Sequence, residues 1–326
     1  MRRVALIYNP ASGQRPERRT ARIAQAIAVL EGAGIEVQTI ATESPASAAV
    51  QAQQAVREGC DTILACGGDG TVHEALQGLV GQTAALGVIP MGTANALATD
   101  LGIPSSTAKA AKVLLEATPV RVSVGRVFYR DPECRDPEGG ERSRYFIVAA
   151  GVGVDAHFFS RLDSRLKQRF GYAAYLVEAL RLWATHTFPM FTASFVESGS
   201  NAVRSEQVSQ LLAVRIGNFG GVVQNLAPGA SIRNGNLSVI AIKTRNRFRY
   251  LRFTAAVILR RHTYSKTIEL IDAVRVECSE LADSSARTFV EADGELLGTL
   301  PVRMEVVPQS LTLLIPPKAL SRISGR

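Results

Sequence analysis

Three times in the N-terminal third of this chain, a short apolar run gives way to a small, polar, glycine-containing turn and then to a helical pattern. Val4 to Tyr8 leads into Asn9-Pro10-Ala11-Ser12-Gly13. The apolar stretch ending at Cys66 leads into Gly67-Gly68-Asp69-Gly70-Thr71, after which Val72, Ala75, Leu76 and Leu79 recur at helical spacing. Gly87 to Pro90 leads into Met91-Gly92-Thr93-Ala94-Asn95-Ala96. A strand, a turn and a helix repeated in this order constrain the fold to a parallel sheet flanked by helices. In such a sheet the turns gather along the carboxyl edge of the strands, where ligands bind.

The middle turn carries the most chemistry. Its glycines let backbone N–H groups approach an anion without a Cβ in the way, and the helix that follows brings partial positive charge to the same place. A carboxylate at the centre of an anion site is repulsive unless a cation accompanies the anion. Asp69 therefore points to Mg²⁺ bound with a nucleotide, the alternative being a plain Gly-Gly-Asp-Gly turn.

The chain changes character near residue 118. Before it, helical stripes such as Ile23, Ile27 and Leu30 alternate with strands such as Ile35 to Ile40, and Ser106 to Ala117 forms the last helix. After it, period-two alternation dominates: Val120, Val122 and Val124 against Arg121, Ser123 and Gly125, and Val274, Val276 and Cys278 against Arg275 and Glu277. Further strands are expected at Tyr145 to Ala149, Pro189 to Val196, Leu211 to Ile216, Leu237 to Ile242, Thr288 to Ala292 and Val302 to Val307, and Arg130 to Arg144 is expected to be a hairpin loop. The expected fold class is α/β, with two domains: an N-terminal open parallel sheet flanked by helices over 1–118, and a C-terminal β-sandwich over 119–308.

Composition narrows the function classes. No apolar run approaches the ~18 residues that a membrane span needs, and the stretch after Met1-Arg2-Arg3 is too short for a signal peptide. Cys60, Cys66, Cys134 and Cys278 lack Cys-x-x-Cys spacing and read as reduced thiols of a cytoplasmic protein, without a zinc site. The net charge of +8 is concentrated in two places. Arg245, Arg247, Arg249, Arg252, Arg260 and Arg261 surround Tyr250, Leu251, Phe253, Val257, Ile258 and Leu259, and Arg161, Arg165, Lys167 and Arg169 precede a helical stretch from Tyr172 to Trp183. Both read either as transient docking sites for an anionic membrane or as solvated basic faces of helices that pack on the sheet. Aromatic residues are not interleaved on strands as a nucleic-acid platform requires, so no nucleic acid is expected as a partner.

One further motif lies late in the chain, Asp293-Gly294-Glu295 followed by Pro301. Taken with Asn9-Pro10-Ala11-Ser12-Gly13, Gly67 to Thr71 with His73-Glu74, and Gly92-Thr93-Ala94-Asn95, it resembles the catalytic domain of the diacylglycerol kinase and sphingosine kinase superfamily, and the resemblance runs from about Arg3 to about Pro316. It implies an NAD kinase-like first domain, a return of the final segment (309–326) to that domain, and a meeting of ATP and acceptor in the cleft between domains. The activity implied is ATP-dependent transfer of the γ-phosphoryl group to a hydroxyl of diacylglycerol or a sphingoid-type lipid. An NAD kinase-like enzyme and a catalytically silent lipid or nucleotide sensor are the alternatives. Expected partners are ATP and a lipid at the membrane surface, with a homodimer as a candidate assembly.

The resemblance also assigns residues. Asn9, Ser12, Gly13, Gly67, Gly68, Asp69, Gly70, Thr71, Gly92, Thr93 and Asn95 would contact the nucleotide, with Thr42 at its border. Loose phosphoryl transfer needs alignment, charge neutralisation and a carboxylate to receive the hydroxyl proton. Asp293 is assigned that role, Asp69 acts through metal and nucleotide, and Glu295 is a second carboxylate near the metal; Asp69 stays the competing base. Asp155 resembles an acceptor-binding acid, with a helix-capping role as its alternative. Three departures stand out: Asn95-Ala96 where bacterial diacylglycerol kinases carry Asn-Asp, Asn234-Gly235-Asn236-Leu237 where they carry Asp-Gly-x-Leu at an accessory metal site, and Gln14 in place of a lysine.

Overall fold

The computed structural model describes residues 1–10, 16–44, 46–130, 140–154, 187–200, 202–220, 223–282 and 287–324. They form two compact units, one of Met1–Val124, Asn218–Gly220 and Pro308–Arg326, the other of Gly125–Gly217 and Gly221–Val307.

The first unit begins with β1 (Arg3–Tyr8), α1 (Pro16–Glu31), β2 (Glu36–Ala41), α2 (Ser47–Arg57), β3 (Thr62–Gly67), α3 (Asp69–Leu79), β4 (Ala85–Pro90), α4 (Ala96–Asp100) and α5 (Thr107–Leu115). Its strands pair in parallel in the order β4-β3-β1-β2. Every residue of β3 and β4 is buried, as a parallel sheet covered on both faces requires. Leu6, Ile7, Ile63 and Leu64 are wholly shielded, and each such side chain contributes about 1.5–3 kcal/mol of hydrophobic stabilisation. The apolar stripe of α3 expected from the sequence is buried in full at Val72, Ala75, Leu76 and Leu79.

The second unit is antiparallel and β-rich. It takes the second half of β5 (Thr118–Arg130), then β6 (Glu141–Phe146), β7 (Ala149–Val152), β8 (Phe191–Glu197), β9 (Val203–Val208) and β10 (Gln210–Val214). Two short strands follow, β11 (Asn218–Gly220) in the first unit and β12 (Val223–Gln224) in the second, then β13 (Leu237–Ile242), α6 (Arg247–Ile258), β14 (Ile268–Glu280), β15 (Phe289–Ala292) and β16 (Glu295–Thr299). The strand order is β16-β15-β7-β10-β13-β14, and β8 pairs with both β14 and β9. Phe146, Phe191, Phe195, Leu211, Val239, Val276 and Met304 belong to one contiguous core.

The last strand, β17 (Val302–Ile315), divides between the units: Val302 to Glu305 pair with β14, while Thr312 and Leu313 pair in parallel with Ala85 and Leu86 of β4. It is longer than the expected strand at Val302 to Val307. The closing helix α7 (Pro317–Ser324) is tied down by Arg322, whose guanidinium lies 3.3 Å from the buried carboxylate of Asp100.

Three expectations about strands need correction. A bulge between Ala273 and Arg275 shifts the β14 register against β8, so Ala273 takes the buried position and Val274 faces out. Ser123, expected on the outer side of its strand, is buried, and the hydrogen bond its hydroxyl accepts from the Gln309 N–H offsets the cost of burying it. The run expected as one strand from Tyr145 to Ala149 is instead broken at Ile147 and Val148, and Ala149–Val152 is strand. The cause of that break lies in the site.

Candidate active site

Parallel register sets the site in the first unit. Tyr8 lies opposite Ala41 on one side and Cys66 on the other, and Gly67 lies opposite Pro90. The residues that follow these strand ends, Thr42, Asn9, Gly68 and Met91, therefore emerge side by side at one sheet edge. The Thr42 N–H donates to the Tyr8 carbonyl at 2.9 Å, which continues the ladder into the loops.

The two glycine loops touch through their backbones. A Cβ on Gly92 would lie 2.6 Å from Gly68 Cα, and one on Gly67 would lie 2.3 Å from Thr71 Oγ1, so neither position accepts a side chain. The Met91 N–H donates to the Gly67 carbonyl at 2.8 Å. Asn95 sits in the left-handed region (φ 50°), which asparagine tolerates better than most residues, and its amide closes on Gly92: the Gly92 N–H donates to Oδ1 at 2.9 Å and Nδ2 donates to the Gly92 carbonyl at 2.8 Å.

Asp69 joins the two loops. One carboxylate oxygen accepts the Asn95 N–H at 2.9 Å and the other the Ala96 N–H at 2.7 Å, so a side chain at the start of α3 satisfies the N-terminus of α4. The N-cap of α3 itself is Gly68, in extended conformation and with no side-chain cap. A helix N-terminus preceded by glycine backbone is suited to a phosphate, and the missing Cβ atoms are what let the two loops close on each other there. Thr71 is buried, Asp69 and Asn95 are half-buried, and Gly70 and Thr93 are exposed. Burial pushes the Cys66 thiol up to about 12, so the cysteine at the end of β3 stays protonated and unreactive.

The second pair of predicted acids lies in the second unit, on the hairpin between β15 and β16. Asp293 and Gly294 are its two turn residues, both with positive φ (48° and 84°), the geometry of a type I′ turn. The buried Glu291 accepts the Gly294 N–H at 2.8 Å and stiffens the turn. The Asp293 N–H donates to the Ala149 carbonyl at 2.8 Å. Its carboxylate in turn receives three backbone donors, from Ile147 (3.0 Å), Val148 (2.9 Å) and Ala149 (3.0 Å). Here is the reason for the interrupted strand: N–H groups of 147–149 turn to this carboxylate, and regular pairing resumes only at β7. Glu295 is half-buried and lies 3.9 Å from the Arg144 guanidinium.

Mg²⁺ needs few protein ligands when phosphate oxygens supply the rest. Among the described residues no group of three or more His, Cys, Asp or Glu side chains is placed to hold a metal ion. Neither Asp69 nor Glu295 belongs to such a group among the described residues. Ser12, Gly13, Cys134 and Asp155 lie outside the described residues, as does the basic cluster from Arg161 to Arg169.

Sequence reasoning missed Arg215. It is wholly buried in the second unit, where its guanidinium donates to the carbonyls of Ile232 (3.2 Å), Asn234 (2.9 Å) and Asn236. Desolvation pulls it down to about 10, which leaves it charged at neutral pH. The Asn234 side chain donates to the Gly229 carbonyl at 2.8 Å. A fixed cation thus organises the Asn234 to Asn236 turn through its carbonyls. The available signal was a lone arginine inside the apolar run Leu211 to Ile216.

Comparison with known proteins agrees with this arrangement. The diacylglycerol kinase catalytic domain family matches residues 3–127, and the YegS C-terminal NAD kinase beta sandwich-like domain family matches residues 147–315. A diacylglycerol kinase of Bacillus subtilis is 29% identical over 304 residues, covering 92% of each chain. One from Staphylococcus aureus is 27% identical over 319 residues, covering 97% of this chain and 93% of the relative. The crystal structure of a diacylglycerol kinase from Bacillus anthracis shares the fold, with a TM-score of 0.68 at 19% identity over 97% of this chain and 98% of that one. Two family domains in the expected order, over a glycine-loop site at the carboxyl edge of a parallel sheet, place this chain in the diacylglycerol kinase family, and it is a kinase.

Proposed function

We propose that this kinase uses ATP with Mg²⁺ to phosphorylate the hydroxyl of a lipid, with diacylglycerol as the leading acceptor and a sphingoid-type lipid as the second. The observation that carries the reading is the locked loop pair, in which Asp69 binds the N-terminus of α4 while Gly67, Gly68 and Gly92 let the two loops pack backbone to backbone at the N-terminus of α3. The names of the relatives support diacylglycerol as the acceptor class.

Asn9, Thr71, Thr93 and Asn95 border the phosphates in this reading, with Thr42 beside them, and Ser12, Gly13 and Gly70 complete the nucleotide contacts. Asp69 and Glu295 are the carboxylates proposed to hold Mg²⁺, which supplies charge neutralisation at the transferring phosphoryl group when bound. Asp293 receives the proton of the attacking hydroxyl, and its three backbone donors keep the carboxylate in one orientation, which is what a positioned base requires. Asp155 is assigned to the polar head of the acceptor.

The test is direct. Purified protein is incubated with Mg²⁺ and γ-labelled ATP against diacylglycerol, sphingosine, NAD and buffer. Label in the chloroform-extractable product from diacylglycerol is the expected result. Label in NADP identifies an NAD kinase, and label in no pool despite ATP binding identifies a silent sensor; either result overturns the proposal.

A further inference from the structure

Helix α6 carries apolar residues on two opposite faces. The inner face is anchored: Tyr250 and Val257 are buried, the Tyr250 hydroxyl meets the buried Ser209 Oγ at 2.6 Å, and the Tyr250 ring lies 4.3 Å from that of Phe188. Phe253, on the same side, sets its ring against His262 and Tyr264 at 6.1 and 6.2 Å. The other face is largely exposed. Phe248 is 68% exposed, Leu251 43%, Ile258 48% and Leu259, just past the helix end, 66%. At 3.6 residues per turn this stripe is centred about 160° away from the packing face. The sequence groups these side chains in one stretch among arginines, and the structure divides them between two faces.

Charge completes the pattern. Between Lys243 and Glu269 the chain has six arginines, one lysine and no acidic residue. Arg252 and Arg249 project on one border of the stripe and Arg247 on the other, all exposed. An exposed apolar stripe bordered by cations, on a helix of 12 residues that is too short to span a bilayer, is the arrangement of a helix lying in the plane of an anionic lipid surface. A helix that merely covered the sheet would turn polar residues to water on this side.

We propose that α6 docks this kinase onto membranes containing anionic lipid, with Phe248, Leu251, Ile258 and Leu259 entering the headgroup region and the arginines holding acidic headgroups. The inference deepens the proposed function, and it rests on that reading for its purpose, since an enzyme acting on a bilayer-resident acceptor has to visit the bilayer. It also has a path to the chemistry within the second unit. Ser209, which receives the anchor of α6, immediately precedes β10, and the far end of β10, Val214, pairs with Ala149, one of the donors to Asp293.

The experiment is co-sedimentation of the full chain with vesicles of phosphatidylglycerol and phosphatidylcholine, or of phosphatidylcholine alone. Binding is expected to the first and not to the second. Phe248→Ser with Leu251→Ser and Ile258→Ser should weaken it at least about tenfold, and Arg245→Ser with Arg247→Ser and Arg252→Ser should do the same, each arginine near such a surface being worth about fivefold. Thermal unfolding of both triple variants should match the parent. Should a triple variant misfold, the single variant Phe248→Trp replaces it: its added emission should shift to the blue on anionic vesicles and be quenched by brominated lipid. Parent-like binding by the triple variants overturns the docking, as does an added emission in Phe248→Trp that neither shifts nor is quenched on those vesicles. So does a loss of self-association in gel filtration with vesicle binding intact, which would make the stripe an interface between copies. Sedimentation needs no turnover, so failure of the lipid kinase assay leaves this measurement able to decide docking by itself.

Discussion

Asp69 and Asp293 do the same physical work in different units. Each is a carboxylate that collects backbone N–H donors from a segment distant in the chain, 26 and 27 residues on for Asp69 and 144 to 146 residues back for Asp293. A hydrogen bond to a charged group contributes about 1.5–3 kcal/mol, so both acids organise their loops as well as serving the proposed chemistry. Asparagine keeps the shape but turns an NH₂ group toward an N–H donor. We expect Asp69→Asn and Asp293→Asn each to lower kcat by about a hundredfold or more, the scale of a small misplacement of reacting groups. Asp69→Asn should also raise the KM for ATP, whereas Asp293→Asn should leave it unchanged. Steady-state kinetics with both substrates varied separates these effects, and near-normal turnover of Asp293→Asn at saturating acceptor would remove it as the base. That Asp293-Gly294 makes a tight turn was legible from two adjacent letters. The three donors on its carboxylate were not, because nothing local to 147–149 signals an acid so far along the chain.

At the scale of elements, the parallel half was readable because its strands are buried on both faces and its turns are glycine-rich, features that survive without knowledge of neighbours. The antiparallel half was readable only in outline. Alternation finds a strand, but the bulge at Ala273 and Arg275 and the interruption at Ile147 and Val148 depend on which partner each residue meets. Charge across strands shows the same dependence. Arg204 on β9 reaches Glu206 at 2.8 Å and Glu269 on β14 at 2.7 Å, and Lys243 lies 3.2 and 3.0 Å from the same two acids. The Arg204 hydrogen bond, followed by that of Lys243, holds the Glu206 carboxyl below its usual 4.5. A carboxyl whose pKa falls on folding stabilises the protein above its unfolded value and loses that contribution as pH drops through the folded one. Glu206→Gln should therefore be less stable than the parent at pH 7, with a shallower loss of stability below pH 4.5. Urea unfolding across pH 3 to 7 measures both, and parallel curves would show that the network contributes nothing.

For the whole molecule, the decisive strand is the last. The second half of β17 belongs to the first unit, where it covers β4, a strand buried along its whole length, and α7 follows it to the Asp100 carboxylate through Arg322. A chain ending at Val307 would leave β4 as a bare apolar edge, a template for aggregation. We expect that truncation to lose most of its soluble yield and its cooperative thermal transition; a soluble product melting like the parent would show that the first unit folds without its C-terminal strand. By itself the sequence determined the fold class and the glycine loops, because hydrophobic period and turn chemistry are local properties written in neighbouring residues. Tertiary structure alone decided which backbone donors each acid collects, that a buried Arg215 gathers the carbonyls of the Asn234 turn, and which apolar face of α6 meets water. Those outcomes depend on pairings between residues tens to hundreds of positions apart, and chain folding, not local propensity, selects them.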